Sequence, residues 1–170
     1  MYLCSTIAKR KRQDMKTELI LVGRTVSKEF TKIIDDYRER ITHYMPFNIT
    51  VIPELKNTKS LSEEQQKTTE GELILKQLQS SDTVILLDEH GRETRSVELA
   101  AWLEKKQQTA RRLVFVIGGP YGFSPAVYEC ANEQLSLSRL TFSHQMVRAI
   151  FVEQLYRACT IIKGEPYHHE

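Results

Sequence analysis

The sequence predicts an α/β fold, a mostly parallel sheet with helices on both faces. Three observations predict it. Residues 18–23 (ELILVG), 83–87 (TVILL) and 113–117 (LVFVI) are continuous apolar runs, the pattern of strands buried on both faces. Segments with a helical period lie between them. Each run meets Gly or Asp at its end, where a strand hands over to a turn. A length of 170 residues fits one domain with a sizeable core, and 41% hydrophobic with 27% charged residues is ordinary for a soluble globular chain.

The elements follow in order. Residues 18–23 are the first strand. Ser27 is placed to cap a helix whose inner face is Phe30, Ile33, Ile34, Tyr37, Ile41 and Tyr44, and Pro46 ends it. Residues 47–52 (FNITVI) alternate and are β-branched, so they form a second strand. A polar loop covers 53–60. Ser62 with Gln65 three residues later is a capping box; the helix it opens runs to Gln79, with Leu73, Ile74 and Leu78 at its buried end. The strand at 83–87 ends at Asp88. Ser96 then caps a helix through Val97, Ala100, Ala101 and Leu103, with Glu98 and Glu104 outward. The strand at 113–117 runs into Gly118, Gly119, Pro120, Tyr121 and Gly122. Ser124 and Pro125 open a short helix, Ser as cap and Pro at the first helical position. Residues 135–138 make a short strand. Residues 145–162 make a long, very apolar helix that must be buried or paired on more than one side, which a lone chain would struggle to do.

Charge is uneven along the chain. The net charge is +2, but residues 1–14 hold Lys9, Arg10, Lys11 and Arg12 against Asp14, and without them 20 basic residues face 21 acidic ones. Met15 is a second natural start. Residues 1–14 are therefore expected to be a disordered N-terminal extension, and 15–170 a single domain. The extension's apolar stretch precedes its basic run, the reverse of a secretory signal. That run could hold nucleic acid or simply be solvated. The body has no global basic field, so RNA binding there must come from a local patch or a paired surface. No run of 18 apolar residues occurs, so no membrane-spanning helix and no membrane partner are expected. Cys4, Cys130 and Cys159 are odd in number and lack metal-ligand spacing, which fits reduced thiols in a cytoplasmic protein.

Ligands in open α/β sheets bind outside the carboxyl ends of the strands. That rule selects residues 87–91, 118–122 and 137–144. The paired glycines in the second segment either admit a ligand close to the backbone or simply make a tight turn, and spacing alone leaves both open. Neither G-x-G-x-x-G nor G-x-x-x-x-G-K-[ST] occurs, so a dinucleotide fingerprint and a P-loop lack support. No zinc spacing and no G-x-S-x-G elbow is present, and no metal site is expected. Asp88 and Glu89 are adjacent, which in extended backbone sends them to opposite sides; loop solvation or capping suits them better than acid–base work. Glu153 and Arg157 are four apart on a helix and either form a surface ion pair or line a cleft. The tail Glu165, Pro166, Tyr167, His168, His169, Glu170 crowds a phenol and two imidazoles behind an apolar helix. Residue types leave it open between a solvated end and part of a site.

Five motifs in order resemble one family: IGGPYGFSP at 117–125, LSLS at 135–138, LTFSHQMVR at 140–148, EQLYRA at 153–158 and PYHHE at 166–170. Jointly they resemble the ribosomal RNA large subunit methyltransferase H family, over nearly the whole chain from Met15. The resemblance implies a SPOUT-class methyltransferase with a C-terminal trefoil knot, working as a homodimer in the cytoplasm. It implies S-adenosylmethionine as cofactor and N3 of a pseudouridine in 23S rRNA within the ribosome as target, with no DNA partner. By position it places Leu87, Gly118, Leu137, Ser138, Arg139, Leu140, Thr141 and Phe142 against the cofactor, and Gly119 joins them as the neighbour of Gly118. It places Tyr167, His168 and Arg157 at the target base, as catalytic candidates. A histidine is a reasonable base for the weakly acidic N3, Tyr167 could stack on or hydrogen-bond the base, and Arg157 could stabilise oxyanion character or hold a phosphate. His169 departs from the pattern, since some relatives carry Arg there. Two alternatives remain: a knotted methyltransferase acting on another RNA such as tRNA, and a non-catalytic ribosome-binding assembly factor. The intact tail and the glycine pair favour an enzyme over the factor.

Overall fold

Residues 14–169 are described by the computed structural model. The expectation about residues 1–14 falls outside that range except at Asp14. Five strands and five helices alternate: β1 (Lys16–Val22), α1 (Lys28–Thr42), β2 (Phe47–Ile52), α2 (Glu63–Gln77), β3 (Thr83–Arg92), α3 (Ser96–Thr109), β4 (Arg112–Ile117), α4 (Pro125–Cys130), β5 (Glu133–Leu135) and α5 (His144–Lys163), with a 3₁₀ turn at Thr58–Ser60. The strands form one sheet in the order β2-β1-β4-β3-β5, every pairing parallel.

Local chemistry sets most boundaries. Ser27 Oγ accepts from Phe30 N at 3.3 Å and starts α1. At α2 the capping box is complete: Ser62 Oγ accepts from Gln65 N at 3.1 Å, and Gln65 Oε1 accepts from Ser62 N at 2.9 Å. Pro125 occupies the first turn of α4. At α3 the cap position is Arg95 rather than Ser96, and Glu98 Oε2 accepts from Arg95 N at 2.9 Å.

The sheet has a core on each face. Leu19, Leu21, Ile85, Leu113, Phe115 and Ile117 meet α1, α3 and α5 on one side. Ile20, Val22, Ile52, Val84, Leu86, Val114 and Val116 meet Ile74 of α2, with Phe123 and Val127, on the other. The central strands thus bury alternate residues against different layers, which is why their sequence is apolar throughout.

Four further expectations need correction. β3 does not end at Asp88 but continues to Arg92, because its far end finds a backbone partner: Arg92 pairs with Leu135, and Ser136 N donates to Arg92 O at 3.0 Å. β5 lies at Glu133–Leu135, not 135–138. Its register is set one residue earlier by Asn132, whose Oδ1 accepts from Val84 N at 2.7 Å and whose N donates to Val84 O at 2.9 Å. Ile33 and Ala101 are exposed, on the solvent edges of their helices. Finally, one chain covers much of α5: Arg148, Ala149, Phe151, Val152, Leu155, Ala158, Cys159 and Thr160 are all buried. α1 and α3 flank it and the sheet floors it, while Met146 is 42% exposed and Ile150, Tyr156, Ile161 and Ile162 are only partly buried in the one chain.

Candidate active site

β4 and β5 end at a cavity of about 500 Å³, which β3 runs past. The turn after β4 supplies Gly118 and Gly119, β3 supplies Leu87 and Asp88, and the segment between β5 and α5 supplies Leu137, Ser138, Leu140, Thr141 and Phe142. That segment is shaped by its serines. Ser136 Oγ donates to Ser138 O at 3.0 Å, and Ser138 Oγ accepts from Leu140 N at 2.9 Å. Leu140 is left 76% exposed over the cavity, an apolar side chain without a cover. Arg139 is not in the cavity wall; its Nε meets Glu93 Oε1 at 3.0 Å on the outer surface.

Sequence reasoning gave no role to several wall residues. The start of α5 brings in His144 and Val147, α4 brings Tyr128, and α2 lends Glu63, Glu64 and Lys67 to the rim. His144 lay in a selected segment but carried no assigned role. Its imidazole is held below the usual histidine range, first by burial and then by the nearby Arg148 guanidinium. Asp88 is fixed by three donors: the Tyr128 hydroxyl, His90 N at 2.8 Å and His90 Nδ1 at 3.0 Å. Burial alone would raise its carboxyl, but these bonds outweigh it and keep it below the ordinary carboxylate range.

Behind the glycine turn lies Glu70, buried at 5% exposure. A Cβ on Gly119 would stand 2.2 Å from Glu70 Oε2, so the absent side chain is the space the carboxyl occupies. The start of α5 is anchored by Arg148, which donates to Val22 O at 2.7 Å, Gly23 O at 3.0 Å and Thr25 Oγ1 at 3.0 Å.

The tail is docked. Tyr167 Oη donates to Glu153 Oε1 at 2.9 Å and lies 3.1 Å from Tyr37 Oη, while the Tyr44 hydroxyl bonds Glu165. The Arg157 guanidinium pairs with Glu153 and sits 4.8 Å over the Tyr167 ring. Its Nη1 also donates to His168 Nδ1 at 3.4 Å, and His168 Nε2 is buried without a partner among the described residues. Arg157, Tyr167 and His168 therefore form one cluster, and His169 stays exposed outside it. The cluster is not in the cavity wall. Thirteen residues of α5 separate Arg157 from His144, about 20 Å of helix axis.

Among the described residues no helix is long and apolar enough to cross a membrane, and no group of three or more His, Cys, Asp or Glu is arranged to hold a metal ion.

A family profile described as "Predicted SPOUT methyltransferase" matches residues 15–168. Among curated relatives, a protein of Bacteroides fragilis named "Ribosomal RNA large subunit methyltransferase H" is 63% identical over 157 residues, covering 92% of this chain and 100% of the relative. Proteins of the same name from Phocaeicola vulgatus and Christiangramia forsetii are 62% and 53% identical, covering 92% and 91% of this chain and 100% and 99% of their own lengths. A family match spanning the parallel sheet, the glycine turn and the docked tail, with relatives matched over essentially their whole length, settles the kinship: the chain belongs to the SPOUT methyltransferase family.

Proposed function

We propose that this protein transfers a methyl group from S-adenosylmethionine to N3 of a pseudouridine in 23S rRNA, acting on the ribosome as a cytoplasmic homodimer. The observation that carries this reading is the cavity beside β3 and at the ends of β4 and β5, walled by the glycine turn, Leu137, Ser138 and residues 140–142, in a chain of this family. The relatives' printed name supports the ribosomal RNA target.

The residues present fit the cofactor. About 500 Å³ is within the range of small-ligand sites. Leu87, Leu137 and Phe142 offer apolar surface for an adenine, and Gly118 and Gly119 bring backbone close. Glu63, Glu64, Asp88 and Glu89 outnumber Lys67 on the rim, which favours a cationic ligand. When bound, S-adenosylmethionine supplies an electrophilic methyl on a positively charged sulfur. The chain's own task is then positioning.

The tail completes the site from a second copy in this reading. One chain's tail lies about 20 Å along α5 from its own cavity, so it serves the partner's. Tyr167 stacks on the target base, and Arg157 holds its carbonyl oxygen or a flanking phosphate. An arginine N–H can only donate, so His168 Nδ1 accepts, and the neutral ring carries its proton on the buried Nε2. The trefoil knot belongs to the same proposal. Its support is the close approach of β3 and β5 at Gly91, where a Cβ would stand 2.7 Å from the backbone of Gln134 and Leu135.

Transfer of tritiated methyl to whole ribosomes, free large subunits and tRNA tests the reading. Labelled ribosomes with unlabelled tRNA are expected. Labelled tRNA would replace the target, and absence of both label and S-adenosylhomocysteine binding would leave only an assembly factor.

A further inference from the structure

We propose that His144 is the base that receives the N3 proton of the target pseudouridine. The assignment rests on the methyl-transfer reading above and names which nitrogen in the site is free to do the work.

Elimination comes from hydrogen bonds. In the tail, His168 spends its acceptor nitrogen on Arg157, so its neutral ring offers only a donor. His90 also lines the cavity, and its Nδ1 donates to Asp88, which leaves Nε2 as an acceptor, but its side chain is 80% exposed. His43 Nδ1 meets Glu39 O on the outside of α1. His169 is exposed beyond the cluster. His144 is exposed too, and it differs in what its ring contacts. It stands in the cavity wall beside Thr141 and Phe142, and neither ring nitrogen has a hydrogen-bond partner among the described residues.

Its placement is rigid. The Ser143 cap accepts from Met146 N at 3.3 Å. Gln145 Oε1 accepts from Val26 N at 2.8 Å and Ser27 N at 3.2 Å, pinning the start of α5 to the loop after β1. One turn on, Arg148 is tied to the end of β1. Arg148 faces His144 from its own helix; Asp88, Glu89 and His90 from β3, and Glu63, Glu64 and Lys67 from α2, share the cavity. Partial burial, then Arg148, lowers the ring's pKa from its ordinary value, which favours the neutral form.

The step balances. The N3 lone pair forms the bond to the methyl carbon as the carbon–sulfur bond breaks, its electrons staying on sulfur as a neutral thioether. The N3–H bond then gives its electrons to N3 and its proton to His144, which passes it to water. A nitrogen that is gaining a methyl becomes strongly acidic, so a weak base suffices.

The test pairs His144→Ala and His144→Asn with wild type in single-turnover transfer to ribosomes across about pH 5 to 9, beside calorimetry with S-adenosylhomocysteine. Rates are expected to fall by roughly 10²–10⁴ near neutral pH, with the acid-side inflection lost, while cofactor-product affinity stays within about threefold. Added imidazole should restore part of the His144→Ala rate. A wild-type rate in either variant would overturn the assignment, and so would a loss of affinity as large as the loss of rate, which would make His144 a binding wall. Wild-type protein that transfers no label at all would instead overturn the underlying reaction.

Discussion

Glu70 shows how one side chain can tune the glycine turn. Gln66 Nε2 donates to its Oε1 at 2.9 Å, but Oε2 has no partner among the described residues. Burial pushes its carboxyl above the usual range; the Gln66 bond opposes this, and Glu54 adds to it. A raised acid binds its proton more tightly in the fold than in the unfolded chain. Its stabilising contribution is full below the unfolded value of 4.5 and is lost as pH rises through the folded one. Glu70→Gln should therefore melt a few degrees above wild type near neutral pH, and the two curves should converge in mild acid. Scanning calorimetry at several pH values checks this; a lower melting temperature at neutral pH would mean that the ionised carboxylate has a partner. Gly119→Ala meets the same carboxyl from the other side. It should cost about 1–3 kcal/mol in urea unfolding and weaken S-adenosylhomocysteine binding, and adding Glu70→Ala should recover part of both.

At the scale of elements, α5 is held at one end by a buried arginine. Arg148 is 2% exposed and answers two carbonyls and a hydroxyl at the end of β1. Arg148→Ala strands those acceptors and should cost about 3 kcal/mol or more by urea unfolding. Arg148→Lys should not rescue it, because an ammonium cannot span the same fork. At α2, Ser62→Ala should cost about 1 kcal/mol through loss of the cap. Helix starts such as Ser27, Ser62 and Pro125 were legible because a cap is a local bond between neighbours in sequence. β1, β2 and β4 were legible because burial on the sheet writes itself into each run. The far end of β3 and the position of β5 were not, since Arg92, Asn132 and Leu135 owe their places to partners tens of residues away. The same limit applies to the site. Of the nine residues expected against the cofactor, eight line the cavity, while Arg139 turned to Glu93 on a contact that no motif encodes. The tail's separation from the cavity follows from the length of α5 and its packing, not from any residue in the tail.

For the whole molecule, the proposed exchange of tails between copies makes a specific prediction. A tail variant such as Arg157→Ala and a cavity variant such as Gly118→Val should each be nearly inactive. Mixed and re-equilibrated, they should recover up to roughly a quarter of wild-type transfer, because about half of the dimers are heterodimers and each of these holds one intact cavity facing one intact tail. Activity that stays absent in the mixture, with heterodimers confirmed by native mass spectrometry, would place tail and cavity in one chain. The strand order has a further consequence, for synthesis. β1 is made first yet pairs with β2 on one side and β4 on the other. While the ribosome is still producing residues before Arg112, a nascent chain carries a strand with four consecutive apolar residues, Leu19 to Val22, and one edge unpaired. Protein released by a stop codon in that window should aggregate through β1, whereas a chain cut after Ile117 has its first strand enclosed on both sides.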